Sequence, residues 1–270
     1  MNSPITYFGG KGGMFKEIIS EFPDRSLYNI YIEPFGGSFS IAFHRPYPVP
    51  VEIYNDLEKN VYSFFKVLSD KELFRQMKDL LDLSYYDETL RAEYIKDLRE
   101  KDLSLVERAY RFFYVNRTSF NGVGGYSVTV NLIRRGLSKD ISAFLASIDN
   151  LPEFHQRLSR VTMMNEDALN VMRKFDSPKT FMYLDPPYVQ ETRGDTRYKV
   201  DMEDEGHRKL IEFCMTAKSK IMISGYDSSL YDVLLENGFH KKSFEFFCTD
   251  KVRTETLWMN YESKAVKALF

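Results

Sequence analysis

Asp185-Pro186-Pro187-Tyr188 is the segment of this 270-residue chain whose residue types most narrowly restrict its chemistry. Two successive prolines fix φ at about −65° and remove two N–H donors, so the backbone there can only accept hydrogen bonds. The residue before a proline, here Asp185, is steered away from helical geometry. The product is a stiff, acceptor-only turn carrying one carboxylate and one aromatic ring. Its natural complement is an exocyclic amino group on a planar base, which offers two N–H donors and a face to stack on. A proline-rich turn whose aspartate caps the next helix is the bland alternative.

Glu33-Pro34-Phe35-Gly36-Gly37-Ser38 is the second such segment. Its glycines permit close backbone approach, and Ser38 has the chemistry of a helix N-cap. Asp56 ends the next apolar run, a position from which ribose hydroxyls are commonly gripped. The pair suits a nucleoside cofactor. The longer G-x-G-x-x-G pattern expected for nicotinamide cofactors is missing. In Gly9-Gly10-Lys11-Gly12-Gly13, backbone amides plus a lysine could form a nest for a carboxylate or phosphate, but Lys11 is followed by glycine, so this is not a P-loop. The run from Tyr114 to Tyr126 contains Arg117, able to hold a phosphate, Asn121, able to pair with a base edge, and Phe120, a candidate wedge between base steps. Hinge packing explains an aromatic in a glycine-rich loop equally simply. His44, His155, His207 and His240 lack metal-ligand spacing and read as structural or solvent-exposed.

These residues need a scaffold that brings them together. Short apolar runs end in polar or glycine clusters: Ile30 to Glu33, Val51 to Tyr54, Val161 to Met164, Phe181 to Leu184 and Ile221 to Ser224. Helix-period segments separate them, notably Glu58 to Leu68, Asp167 to Lys174, His207 to Ala217 and Ser229 to Glu236. The alternation predicts an α/β fold with a parallel sheet covered on both faces, and ligands in such sheets bind beyond the carboxyl ends of the strands. Ser243 to Phe247 and Glu255 to Met259 could close the sheet as an edge pair. Residues 57–158 break the pattern and read as a mostly helical insertion. Within it, Val106 to Asp140 holds six basic residues (Arg108, Arg111, Arg117, Arg134, Arg135, Lys139) against Glu107 and Asp140, in a chain of net charge −2. A localised basic surface follows, or simply a solvated helical face.

Composition closes off other classes. With 43% hydrophobic residues and balanced charge the chain is not disordered, and about three quarters of its surface can be buried. Cys214 and Cys248 cannot form a disulfide scaffold or a metal site. No apolar run approaches the ~18 residues of a membrane span, and no secretion-signal pattern opens the chain. A cytoplasmic protein is expected.

Taken in order, Tyr7-Phe8-Gly9-Gly10-Lys11, Glu33 to Ser38, Asn55-Asp56, Asn116-Arg117 to Asn121-Gly122, Asp185 to Tyr188 and Glu255-Thr256-Leu257-Trp258 resemble the Dam-type DNA adenine-N6 methyltransferases. The resemblance spans nearly the whole chain. It implies a Rossmann-like methyltransferase sheet formed by residues 1–56 and 159–270, with 57–158 as target-recognition insertion. It also implies S-adenosylmethionine as methyl donor, a flipped-out adenine in double-stranded DNA as acceptor, no metal, and a possible partner endonuclease. No oligomer is required. On the cofactor it implies Tyr7, Lys11, Glu33, Phe35, Gly36, Gly37, Ser38, Asp56, Asp167 and Asp185. Asp167 would accept from the adenine amino group of the cofactor. Asp185, Pro186, Pro187 and Tyr188 would hold the target base, and Arg117, Phe120, Asn121, Val123, Arg134 and Arg135 would contact DNA.

One departure stands out. GATC-specific members typically place an arginine after the Asn-Gly of the recognition loop, where this chain has Gly124-Gly125 before Tyr126, and Ser127 to Asn131 replaces the segment that often follows. A relaxed or different recognition motif is expected. Because a proline-flanked acid suits any planar amino group, methylation of cytosine N4 or an RNA adenine stays open at this point, as does a catalytically idle DNA-binding regulator.

Overall fold

The computed structural model describes residues 1–7, 9–122, 124–126, 128–129, 133–134, 136–189, 202–248 and 251–263, with the side chains of Asn121, Phe247, Cys248 and Lys251 left aside. The expectations on Val123, Arg135 and the Asn121 side chain therefore lie outside the described residues. The strands are β1 (Ile30–Glu33), β2 (Val51–Asn55), β3 (Ile133–Arg134), β4 (Leu137–Ser138), β5 (Val161–Met164), β6 (Thr180–Leu184), β7 (Lys220–Gly225), β8 (His240–Cys248) and β9 (Lys251–Met259). The helices are α1 (Phe15–Ser20), α2 (Ser40–His44), α3 (Lys59–Ser69), α4 (Lys71–Asp82), α5 (Glu88–Glu100), α6 (Leu105–Arg117), α7 (Lys139–Asp149), α8 (Leu151–Leu158), α9 (Ala168–Lys174), α10 (Asp204–Thr216) and α11 (Asp232–Glu236). They fall into two compact units, Met1–Gly10 with Glu58–Met163, and Lys11–Leu57 with Met164–Phe270. The first ten residues thus group with the helices, whereas the sequence placed them with the sheet.

The sheet runs β5-β2-β1-β6-β7-β9-β8. β1 is parallel to β2 and β6, and β6 to β7, while β9 enters antiparallel between β7 and β8. From β1 the chain builds outward through β2 to β5, then returns to lay β6 on the other side of β1. The reversal makes the β1–β6 junction the switch point of an open α/β sheet, where a crevice forms beyond the strand ends. Glu33 and Asp185 stand on its two sides.

Side chains alternate between the faces of a strand. One face is apolar throughout: Ile32, Ile53, Met182, Leu184, Ile221, Ile223 and Trp258 are packed with residues of α9, α10 and α11. On the other, Tyr31 and Phe181 contact Phe22 and Tyr28 through edge-on or tilted rings. The same period of two puts Glu33, Tyr183, Ser224 and Glu255 on this second face at the carboxyl ends of β1, β6, β7 and along β9. Glu33 is 2% exposed and accepts from the Tyr31 hydroxyl at 2.7 Å.

The helical unit is organised by α6. A capping box between Ser104 and Glu107 starts it, its face buries Phe112, Phe113 and Tyr114, and Phe113 stacks on Phe64 of α3 at 5.3 Å. The Tyr114 hydroxyl accepts from the Asp87 amide and donates to the Tyr85 carbonyl, fixing the α4–α5 connection. β3 and β4 form a short antiparallel hairpin that the sequence did not announce.

Burial holds the Glu33 carboxyl neutral, pushing its pKa up to about 8 against partial relief from Tyr31 and Arg45. The folded chain therefore carries a proton that the unfolded chain, with an ordinary glutamate, has released. Unfolding free energy should be greatest below about pH 4.5 as far as this group is concerned, and should fall as pH rises through about 8. Urea titrations from pH 5 to 9 should show this decline in the wild type and a flatter profile in Glu33→Gln.

Candidate active site

The sheet unit gathers its polar exceptions around one buried cation. Lys11, 2% exposed, lies in the 3-10 turn Lys11–Gly13 ahead of α1. Its Nζ is 3.0 Å from Asp185 Oδ1 and 2.9 Å from Glu255 Oε1, and donates to the Tyr188 hydroxyl at 2.5 Å. That hydroxyl in turn donates to Glu255 Oε2 at 3.2 Å. Ser224 Oγ adds a bond to Asp185 Oδ1 at 3.2 Å, and itself lies 2.8 Å from the Tyr183 hydroxyl. Glu255 Oε1 meets Lys11 only as an ion pair, without hydrogen-bond alignment. Both contacts to Asp185 fall on Oδ1, and its side chain remains 21% exposed while Glu255 is fully buried.

The electrostatics follow from this crowding. Burial works against the Lys11 ammonium, but the carboxylates of Asp185 and Glu255 outweigh it, so Lys11 titrates well above its ordinary range and stays charged. Burial raises Asp185 to about 6, opposed by Lys11 and reinforced by Glu255. The cluster thus sets the acids of Asp185 and Glu255 around one ammonium. Its negative excess suits a cationic or N–H-donating guest. Tyr188 lines a small cavity with Pro186, Pro187, Gly225, Tyr226 and Trp258, and its ring lies 4.2 Å from that of Tyr226.

The β1 loop is held by a second device. Asn55, 1% exposed, donates to the carbonyls of Pro34 and Glu166 at 2.8 and 3.0 Å and accepts from the Glu166 amide at 2.9 Å, tying together the loops after β1, β2 and β5. Gly36 sits directly over this knot. A Cβ there would come within 2.3 Å of the Tyr54 ring and 3.0 Å of the Asn55 carbonyl, so only glycine fits. The next amide, of Gly37, donates to Asp56 Oδ2 at 2.7 Å, and Phe35 packs partly buried on the apolar core. Ser38 is not the N-cap expected for it. α2 begins at Ser40 after Phe39 in left-handed geometry at φ 54°, and Ser38 Oγ instead pairs with Ser40 Oγ at 2.8 Å. Asp167 does cap a helix, accepting from the Asn170 amide at the start of α9.

Other expectations redistribute. Lys11 forms no open anion nest, because the carboxylates it meets are the chain's own. Tyr7 belongs to the helical unit and Lys11 to the sheet unit. In the basic stretch, Arg111 is paired with buried Asp97 of α5 at 2.5 Å and Arg108 donates to Asn60, so the free positive charge is smaller than the sequence count. The Arg117 guanidinium is half-buried with its Nε unpartnered, and burial lowers its pKa. Phe120 is 63% exposed and Arg134 is exposed on the hairpin. The loop after α6 is tied back. Arg91 donates to Ser119 Oγ and, at 2.7 Å, to the Gly124 carbonyl. Asn116 pairs with the Thr6 backbone, onto which Gly122 folds at φ +75°. Among the described residues no group of three His, Cys, Asp or Glu could hold a metal, and no helix is long and apolar enough to cross a membrane.

Sequence reasoning assigned no role to Ser224, Glu255, Asn55 or Tyr226. Its available signals were a serine closing an apolar run, a glutamate inside Thr254-Glu255-Thr256-Leu257-Trp258, and an asparagine after Ile53-Tyr54.

A reversing parallel sheet with this loop, acid and proline turn on its carboxyl edge defines a Rossmann-like methyltransferase. The chain belongs to the D12 class N6 adenine-specific DNA methyltransferases, the family matching residues 7–246. It is an adenine-N6 DNA methyltransferase. It is similar to the type II methyltransferase M.CviBI of Paramecium bursaria Chlorella virus NC1A, 23% identical over 253 residues that cover 90% of this chain and 91% of the relative. The type II methyltransferase M1.LlaDCHI of Lactococcus lactis subsp. cremoris is 26% identical over 72% of this chain and 69% of its own. The modification methylase StsI of Streptococcus sanguinis is 24% identical over 79% of this chain and 33% of that protein.

Removing the cation should expose the cost of the cluster. Lys11→Met leaves two carboxylates buried without a counter-ion and should destabilise the protein by about 3–5 kcal/mol. Adding Glu255→Gln to that variant should restore part of the loss. Urea denaturation of the single and double variants measures both.

Proposed function

We propose that Asp185, Pro186 and Tyr188 hold a flipped-out adenine and that S-adenosylmethionine is the methyl donor. The observation that supports this most is the Asp185 carboxylate, anchored through Oδ1 by Lys11 and Ser224 at the end of β6 and still partly exposed. Its second oxygen and the Pro186 carbonyl then accept the two N–H bonds of the amino group. The N6 lone pair is delocalised into the purine and is a poor nucleophile. Two acceptors on its N–H groups draw the nitrogen toward a tetrahedral shape and concentrate the lone pair. Tyr188, its hydroxyl fixed by Lys11 and Glu255, presents a ring for stacking, with Tyr226 beside it. S-adenosylmethionine, when bound, supplies an electrophilic sulfonium methyl. The net negative cluster suits its cationic methionine end, and Asp56, oriented by the Gly37 amide, suits its ribose hydroxyls. Phe35, Gly36, Ser38, Glu33 and Asp167, at the same strand ends, are assigned to the same cofactor.

The helical unit would read the DNA. Arg117 and Arg134 are assigned to phosphates, and Phe120 and Asn121 to the bases. A restriction endonuclease with the same motif is the partner this reading implies, and the cytoplasm its place of action.

Asp185→Ala should lower turnover at least about a hundredfold, the scale of losing one key transition-state interaction, with cofactor affinity much less affected. Asp56→Ala should act mainly on S-adenosylmethionine affinity by calorimetry, since a ribose contact is equal in ground and transition states. Tritium transfer from the labelled cofactor to unmethylated DNA measures turnover; wild-type rates in Asp185→Ala would remove the mechanism.

Specificity gives a sharper test. A bidentate arginine–guanine pair contributes about 1–3 kcal/mol of discrimination, which glycine at that place cannot supply. Gly125 has nothing within 4 Å of a built Cβ, whereas at Gly124 the Cβ would press on the Phe120 carbonyl at 2.8 Å. Long-read sequencing of DNA from a methylation-free host should find N6-methyladenine in a motif relaxed or different from GATC, and Gly125→Arg should narrow it toward guanine at the outer position. A wild-type methylome confined to GATC would contradict the loop argument.

A further inference from the structure

β9 pairs with β7 only from Thr256 to Met259, but its ladder with β8 continues from Glu255↔Phe244 out to Lys251↔Cys248. Since β9 runs antiparallel to β7, the additional pairs lie past Gly225, beyond the carboxyl ends of the parallel strands. A two-stranded ribbon therefore projects from the edge that carries Asp185 and Tyr188. Isolated ribbons are marginal in water, and natural sheets keep exposed edges short. The length of this one calls for a use.

Its side chains show which. Arg253, exposed on the projecting part of β9, donates through Nη1 to the Tyr226 hydroxyl, and its guanidinium carbon lies 5.8 Å from that ring. The Tyr226 ring is in turn 4.2 Å from Tyr188. The guanidinium thus stands one ring away from Tyr188, against Tyr226, which lines a small cavity together with Tyr188 and Pro187. Lys241 and Lys242, lower on the ribbon, pair with Asp227 at 2.6 Å and Glu21 at 2.5 Å.

A nucleotide whose base reaches Asp185 and stacks on Tyr188 keeps its phosphates outside the fold. The nearby cluster, with the acids of Asp185 and Glu255 around the Lys11 ammonium, repels that phosphate charge. A cation beside Tyr226 offsets that repulsion, and the planar arginine fork matches phosphate oxygens. We propose that the β8–β9 ribbon is a DNA-binding arm of the sheet unit, and that Arg253 holds a target-strand phosphate beside the flipped nucleotide. The proposal rests on the reading of Asp185, Pro186 and Tyr188 as the target-base site.

The test uses the full-length protein and a fluorescent duplex bearing the motif found in its methylome, titrated over a range of salt. Arg253→Ala should weaken binding about tenfold and reduce the slope of log K against log salt by about one, while Arg253→Lys keeps most of the slope. Tyr226→Phe should also keep it. If Arg253→Ala binds with unchanged affinity and salt slope, the arginine only buttresses Tyr226 and the proposal falls, whatever happens to turnover. Asp185→Ala in the same experiments separates the two readings. Normal methylation by that variant would refute the target-base site, whereas its loss alongside unaltered DNA binding by Arg253→Ala would refute the arm alone.

Discussion

One buried ammonium shared between two carboxylates sets the terms for the rest of the sheet unit. An isolated charge cannot be carried into a protein interior at acceptable cost, so Lys11, Asp185 and Glu255 must arrive together. Lys11 comes from the turn before α1, Asp185 from the end of β6 and Glu255 from β9. Their meeting at 3.0 and 2.9 Å requires β9 to stand beside β7, and the first turn to sit on the polar face of the sheet. The cluster is weak support for stability, since apolar packing could often replace a buried ion pair without loss. Its value is geometric: it fixes one oxygen of Asp185 and the hydroxyl of Tyr188.

Two kinds of support meet at the carboxyl edge. Charge holds the β6 side, and amide hydrogen bonding holds the β1 side, where Asn55 binds three loops and Gly36 lets the backbone pass over Tyr54. The proposed mechanism asks for acceptors that do not move as the amino nitrogen changes shape, and stiff supports of this kind supply preorganisation. The helical unit uses the same principle at its own loop. Arg91 holds Ser119 and Gly124 and Asn116 holds Gly122, while Phe120 remains exposed.

The strands and the chemistry of the turn were legible because both are local. Periodicity placed β1, β5 and β6 within a residue of their observed limits, and Asp-Pro-Pro-Tyr restricts its own backbone. What remained hidden depends on strand order. Glu255 and Lys11 are far apart in sequence, and only the insertion of β9 next to β7 puts the glutamate on the face where the lysine lies. A lysine among four glycines reads locally as an anion nest; its real partners lie on distant strands. Ser38 failed as a cap for a comparable reason, because Phe39 takes the left-handed turn and delays the helix. The β3–β4 hairpin is two residues a side and leaves no periodic signal. The basic stretch overstated its charge, since Asp97, which neutralises Arg111, sits on another helix.

The shared cation is tested most directly by the pH dependence of single-turnover methyl transfer in the wild type and in Glu255→Gln. In the proposed mechanism Asp185 must be ionised to accept the amino N–H bonds, so the wild-type rate should fall as pH drops through about 6. Glu255 helps to raise that value and competes for Lys11, so neutralising it should move the inflection to more acidic pH. An inflection that stays in place in Glu255→Gln would show that the two carboxylates are not coupled through Lys11, and would contradict the account.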